Sequence, residues 1–502
     1  MSSALGHFVA GGRVAGTSGR FGEVFNPSIG EVQAQVALAS AQEVQAAIAA
    51  AQEAFPGWAA TSSVKRARIM FKFLELVTKE KETLARTLAS EHGKVIADAA
   101  GDVQRGLDVI EFACGIPHFM KGEFADNVAT GIDLYSMRKP LGVVGAITPF
   151  NFPAMIPMWM FGIAIACGNT VILKPSEKDP SVPLRLAELM MEAGAPEGVL
   201  NVVNGDKEAV DTLLTDARVK AISFVGSTDI AKYVYATGTA HGKRVQAMGG
   251  AKNHMIILPD ADLDQVTDAL IGSAYGSAGE RCMANPVAVP VGEDLAEEVI
   301  ARLKPRIAEL KIGPSHDPDM ELGPLVTQAH WQRVKGYIDL GVEEGSDLVV
   351  DGRDYKVTTQ GYENGFYMGA SLLDRVTPKM RSYQDEIFGP VLQIVRAETA
   401  DQAVRLPSAH RYGNGTSIFT NDGDAAREFA DKVEVGMVGI NVPIPVPLAF
   451  FTFGGWKDSA FGDINQHGAA GVQFFTKTKT VTSRWPTGIR GGAEFAIPTL
   501  NT

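Results

Sequence analysis

Residues 142–174 read GVVGAITPFNFPAMIPMWMFGIAIACGNTVILK. Two short apolar runs, 142–148 (GVVGAIT) and 170–174 (TVILK), have the length and composition of buried strands. Between them, 154–167 is apolar for long enough to form a helix, and it closes at Gly168-Asn169. Strand, helix and strand joined by short connections make the βαβ unit of a parallel sheet.

The alternation continues outward. A helix over 181–193, with Ser181 as its N-cap, leads to a strand at 199–203 and a helix at 206–214. A strand at 220–225 (KAISFV), a helix from Thr228 and a strand at 244–248 complete one α/β unit. The turn signal Gly249-Gly250 precedes a second alternation: strand 254–258, helix 263–277, strand 287–291, helix 294–310. Two segments stand outside both units. Residues 133–139 and 472–484 (VQFFTKTKTVTSR) are β-prone, and isolated strands must pair, with each other or with another subunit. The tail 486–502 reads as loosely ordered. The expected fold class is α/β.

A chain of 502 residues needs more than one core. With 45% hydrophobic and 21% charged residues it has the composition of a soluble globular protein. The net charge of −12 disfavours nucleic acid and anionic membranes as partners, but a locally basic site can still hold an anionic substrate. The three cysteines, Cys114, Cys167 and Cys282, are far apart and odd in number. They make neither a disulfide framework nor a zinc site, so no metal is expected and a reducing compartment fits. The N-terminus has no basic segment followed by a long apolar run, and 154–167 is broken by Pro157 and Gly162. Neither a secretory signal nor a membrane span is read, and a cytoplasmic enzyme is expected.

Five places can carry chemistry. Cys282 lies in GERCM (279–283), where a turn and an adjacent cation, Arg281, favour a thiolate; the other reading is a plain buried cysteine. Asn151 lies in PFNFP (149–153), at the carboxyl edge of the sheet. Its amide can donate to an oxyanion, or it can cap the next helix. Lys174, Ser176 and Glu177 (KPSE) follow a strand and either hold ribose hydroxyls or form a solvated loop. An acid at that place favours NAD over NADP. Gly226-Ser227 opens a helix, so its amides can cradle phosphate, although no GxGxxG is present and a plain turn reads equally well. Glu386, before Gly389-Pro390, is either a ribose acceptor or a surface acid.

Together, in this order and spacing, these pieces resemble the aldehyde dehydrogenase superfamily over essentially the whole chain. The resemblance implies Cys282 as nucleophile, Asn151 and the Cys282 amide as oxyanion donors, and NAD as cofactor. The cofactor residues it implies are Thr148, Phe150, Lys174, Ser176, Glu177, Gly226, Ser227 and Glu386. It also implies a Rossmann-type NAD-binding domain (1–123 and 140–248), an α/β catalytic domain (249–447) and oligomerisation strands (124–139 and 470–490). The product of that sheet is a homo-oligomer, dimer or tetramer.

A narrower resemblance rests on GAKNH (250–254), NVPIPVP (441–447) and VQFFTKTKTVTSRW (472–485). These are similar to the CoA-acylating methylmalonate-semialdehyde (malonate-semialdehyde) dehydrogenases. Most aldehyde dehydrogenases carry a glutamate as hydrolytic base just before the Gly-Gly pair, and Ala247 is read at that place. Without a base the thioester persists until CoA, as acyl acceptor, removes it. Arg105 and Arg281 are implied as ligands of the substrate carboxylate. Asn285-Pro286 departs from the subfamily pattern, and Pro286 restricts the loop behind the thiol. A hydrolytic enzyme releasing a free acid and a non-catalytic relative are the alternatives.

Overall fold

A computed structural model describes residues 4–485. In it Val143–Ile147 lies inside an eight-stranded sheet. Its parallel strands are ordered Arg244–Met248, Val219–Val225, Val143–Ile147, Thr170–Lys174, Leu200–Val202. From Val143–Ile147 the chain winds outward through the next two strands in sequence. It then crosses back to Val219–Val225 on the opposite side of the first strand. The carboxyl ends of these two neighbours therefore diverge, and an open α/β sheet leaves a crevice at such a switch point. The helix Met155–Ala166 is buried along its whole length, as its all-round apolar sequence requires. Antiparallel strands close the edges: Ala460–Phe461 beside Arg244–Met248, and His7–Val9 beside Leu200–Val202.

A second sheet of seven strands is ordered Asp347–Val350, Ser371–Asp374, Val391–Ile394, Val287–Pro290, His254–Ile257, Gly415–Phe419, Met437–Ile440. All pairings are parallel except that of the edge strand Asp347–Val350. Each large sheet anchors a buried apolar cluster of its own. A three-stranded antiparallel sheet joins Thr476–Arg484, Ile132–Pro140 and Phe124–Ala129. The two segments expected to need partners thus pair with each other, from Thr476 opposite Pro140 to Arg484 opposite Ile132.

Three local expectations are corrected. The strand expected over 472–484 begins only at Thr476, because Val472 and Phe474 lie in the helix Gly468–Phe474, where both are buried. Ser181 is the first helical residue rather than the N-cap, and its hydroxyl bonds Glu91 instead. The helix expected over 263–277 stops at Leu270, passes through a π turn (Ile271–Tyr275), and then breaks. Ser277, Ala278 and Gly279 take φ of 54°, 52° and 72°, a left-handed run that turns the chain toward Cys282. Gly279 is required there, since a Cβ would sit 2.1 Å from the Gly389 carbonyl oxygen. The tail 486–502, and so the last part of the expected 470–490 segment, lies outside the described residues.

Candidate active site

Two clefts meet at Cys282. The first, of about 300 Å³, occupies the switch-point crevice and is lined by Phe150, Asn151, Gly226, Ser227, Glu386 and Phe388, among others. The second, of about 330 Å³, is walled by Phe152, Trp159, Ile444, Val446 and Phe453, with Arg105 and Arg281 on its rim. The residues expected at the catalytic centre are therefore brought together, with the thiol at the junction.

The thiol is held by its backbone. The Cys282 carbonyl accepts from the side-chain amides of Asn253 and Asn414, each over 3.0 Å. Asn253 also donates to the Ala284 carbonyl over 2.7 Å. Burial pushes the Cys282 thiol up to about 12; Glu386 adds to the rise, while the amides of Cys282 and Met283 and the charge of Lys94 oppose it. The expectation that neighbouring Arg281 favours the thiolate is corrected. The charge of Arg281 is paired with Asp98 over 2.7 Å. A cation that acts on the thiol is Lys94, far away in sequence.

The segment 250–254 is the scaffold of the centre. Gly250 passes under Glu386, and a Cβ there would lie 2.6 Å from its carboxylate. The Ala251 amide donates to Glu386 over 2.9 Å. Lys252 donates to the Ser382 and Asp385 carbonyls over 2.8 Å each, fixing the loop that carries Glu386. Asn253 holds Cys282, and His254 meets the Tyr383 hydroxyl at 2.7 Å. Glu386 is no surface acid: it lines the first cleft, and burial raises it to about 7.

Ala247 does not face the thiol. Successive strand residues point to opposite faces. Ala247 packs among Val245, Phe224 and Ile222 on the far side of the sheet, whereas Met248 joins the cluster that holds Met283 and Cys282. Neither Ala247 nor Met248 carries a side chain that can take a proton at neutral pH.

At the strand ends, Lys174 is buried, donates to the Gly205 carbonyl over 2.9 Å, and lies 3.7 Å from Glu177. Glu177 is about half exposed, and Ser176 accepts from the Lys178 amide. The Gly226 amide is already spent on the Met248 carbonyl at 3.1 Å, so that residue offers close approach rather than a phosphate donor. Ser227 starts the helix Thr228–Ala240 without a side-chain cap bond. Thr148 is buried just after the central strand, its amide bonded to the Lys174 carbonyl. Phe150 stacks edge-on to Phe388, 5.9 Å between centroids.

Sequence reasoning missed Lys94, Asp98, Asp102, Asn253 and Asn414. One signal was readable: Asp98, Gly101, Asp102 and Arg105 fall at i, i+3, i+4 and i+7 of the helix Ile96–Cys114 and line the second cleft as one face. Arg105 is thereby part-buried, bonded to the Pro447 carbonyl over 2.8 Å, and not a solvated charge. Asn285 bonds the Pro443 carbonyl, so the run 441–447 is tied to the loop behind the thiol.

The profile of the aldehyde dehydrogenase family matches residues 14–481. The chain belongs to the aldehyde dehydrogenase family. Among aldehyde dehydrogenases it is similar to the malonate-semialdehyde dehydrogenase of Pseudomonas aeruginosa, 54% identical over 98% of this chain and 99% of the relative. A methylmalonate-semialdehyde dehydrogenase structure from Oceanimonas doudoroffii superposes with a TM-score of 0.95 at 54% identity, covering 96% of this chain and 99% of that one. A Sinorhizobium meliloti structure, provisionally named a methylmalonate-semialdehyde dehydrogenase and complexed with NAD, reaches 0.96 at 60% identity, covering 97% and 99%. Among the described residues of this aldehyde dehydrogenase, no group of three or more His, Cys, Asp or Glu side chains is placed to hold a metal. No described helix is long and apolar enough to cross a membrane.

Proposed function

We propose that this aldehyde dehydrogenase oxidises malonate or methylmalonate semialdehyde with NAD and passes the acyl group to CoA. The observation that carries the reading is the junction itself: one thiol shared by a cleft with two arginines on its rim and a cleft at the sheet's switch point.

The residues of the switch-point cleft fit a dinucleotide. Ser227, at the start of a 13-residue helix, is uncommitted to capping. Glu386 faces the cleft over bare glycine, and outside its lining Glu177, half exposed beside Lys174 after a neighbouring strand, suits ribose hydroxyls. NAD bound there supplies the hydride acceptor.

The chain's own residues do the rest. Arg105 and Arg281 draw the substrate carboxylate to the second cleft, whose apolar wall accepts the short carbon chain. The Cys282 sulfur adds to the aldehyde carbon, and the oxyanion is stabilised by the Asn151 side chain and the Cys282 amide. Loss of the hydride re-forms the carbonyl as a Cys282 thioester. The β-carboxylate leaves as carbon dioxide, its bonding electrons pass to the thioester enolate, and a proton taken up at the α-carbon gives the acetyl or propionyl thioester. With Met248 and Ala247 where a base is usual, water is not activated, and the CoA thiol exchanges with Cys282 to release the acyl-CoA. The chain works as a homo-oligomer in the cytoplasm: among the described residues the small sheet Thr476–Arg484, Ile132–Pro140 and Phe124–Ala129 stands apart from both large sheets, and the three cysteines are unpaired.

The test is to mix protein, NAD and malonate semialdehyde with and without CoA, following NADH and identifying products by mass spectrometry. Steady turnover to acetyl-CoA only with CoA is expected. Turnover to a free acid without CoA overturns the acyl-transfer reading, and no turnover overturns the substrate.

A further inference from the structure

Lys94 is 1% exposed and sits beneath the site. Its Nζ donates to the backbone carbonyl of Asn151 over 2.6 Å, lies 4.0 Å over the Phe152 ring, and is 3.6 Å from Asp102 Oδ2. The other Asp102 oxygen accepts from the Met155 amide over 2.7 Å. That amide opens the helix Met155–Ala166, whose own N-cap residue, Ala154, offers no side-chain bond. Asp102 thus caps, from a neighbouring helix, the helix that follows the Asn151 turn. One buried pair brackets the whole segment 151–155: Lys94 at its start, Asp102 at its end.

Burying a lysine and an aspartate is costly unless both are well bonded. At 3.6 Å the two make an ion pair but no hydrogen bond, and Asp102 Oδ2 has no hydrogen-bond partner. The direct bond that Lys94 makes through Nζ is to Asn151. Its charge therefore stands behind the amide that faces the reacting oxygen, in a water-poor place where charge acts strongly.

We propose that Lys94, braced by Asp102, is a positioning residue for acylation: it fixes the Asn151 backbone in the oxyanion site and supplies positive charge behind the developing oxyanion and the thiolate. The proposal rests on the roles of Cys282 and Asn151 given above. The titratable and charged groups around the pair are Asp98, tied to Arg281, Arg105 on the rim of the same cleft, and the buried His92, Asp179 and Glu280, each of which feels the charge of Lys94. Both the thiol and Asp98 feel Lys94 as a charge that favours their anions.

The experiment compares the full-length wild type with Lys94→Met and Lys94→Gln. Glutamine keeps a donor without charge; methionine removes both. Two quantities are read: the pre-steady-state NADH burst with malonate semialdehyde, and iodoacetamide alkylation of Cys282 against pH with no substrate or cofactor. Lys94→Met is expected to slow the burst about 100-fold, the scale of a lost oxyanion-site interaction. Its affinity for NAD should stay within about twofold, and its alkylation profile should move to higher pH. Lys94→Gln should slow the burst less and shift alkylation by the same amount. A folded Lys94→Met with wild-type burst and alkylation profile overturns the proposal. If that variant does not fold, an unshifted alkylation profile in Lys94→Gln overturns it. A wild type that forms no NADH sinks the substrate assignment instead, and the alkylation comparison still decides the role of Lys94.

Discussion

The side-chain amide of Asn253 donates over 3.0 Å to the carbonyl oxygen of Cys282, 29 residues further along the chain. The same amide reaches Ala284, and its oxygen accepts from the Gly415 amide over 3.0 Å. One asparagine thus ties the nucleophile loop to two strands of the second sheet.

Replacing Asn253 by alanine would leave these buried backbone groups without that partner. A stability loss of about 2–4 kcal/mol follows from the cost of stranding polar groups, together with a fall in kcat of about tenfold or more from a loosened thiol. Urea unfolding and steady-state kinetics check both. A variant as stable and active as the wild type would mean that Asn414 holds the loop unaided.

Gly250 is bare because Glu386 and Thr228 lie against it. A Cβ would meet Glu386 Oε2 at 2.6 Å and Thr228 Oγ1 at 2.9 Å. Gly250→Ala should push Glu386 from its place and weaken NAD binding by about tenfold, with thermal unfolding little changed. Fluorescence titration of the cofactor measures this, and unaltered affinity would remove Glu386 from the cofactor site.

The acidity of the resting thiol is open to direct test. Burial raises Cys282 to about 12, so at neutral pH the cofactor-free enzyme holds almost none of the reactive thiolate. Below that value the thiolate fraction grows with pH. Alkylation by iodoacetamide should therefore be slow at pH 7 and rise about tenfold per unit up to pH 10. A plateau reached by pH 8 would show that the resting thiol is far more acidic than its surroundings imply.

The two faces of the strand Arg244–Met248 make opposite predictions for adjacent residues. Met248→Glu puts a carboxylate on the side of Cys282 and should yield measurable CoA-independent release of free acid. Ala247→Glu buries a charge in the opposite cluster and should cost about 3 kcal/mol or more with no hydrolysis gained. Product analysis with and without CoA, beside thermal melts, separates them. Hydrolysis from Ala247→Glu alone would fix the base position at Ala247 and overturn the prediction for Met248.

Much of this was legible in the chain because parallel strands buried on both faces read as unbroken apolar runs. Runs such as 142–148 and 170–174 mark the sheet, its carboxyl edge marks the crevice, and Asn151, Glu386 and Cys282 fall on it. Lys94 and Asn414 were not legible, since their bonds to Asn151 and Cys282 cross 57 and 132 residues and leave no local pattern. Arg281 was misread because adjacency in sequence suggested a partner that the loop geometry gives to Asp98. Residues 472–474 were misread because β-branched and aromatic residues favour strands, while tertiary packing of Val472 and Phe474 favours the helix.

The arm that carries the nucleophile is a loaded spring. Ser277 and Ala278 are held at φ of 54° and 52°, each an unfavourable conformation for a residue with a side chain, and packing of Gly279 beneath Gly389 keeps them there. Such an arm relaxes before the two large cores loosen. On warming, this enzyme should therefore fall silent while still folded, its working temperature limited by three residues rather than by the stability of the whole.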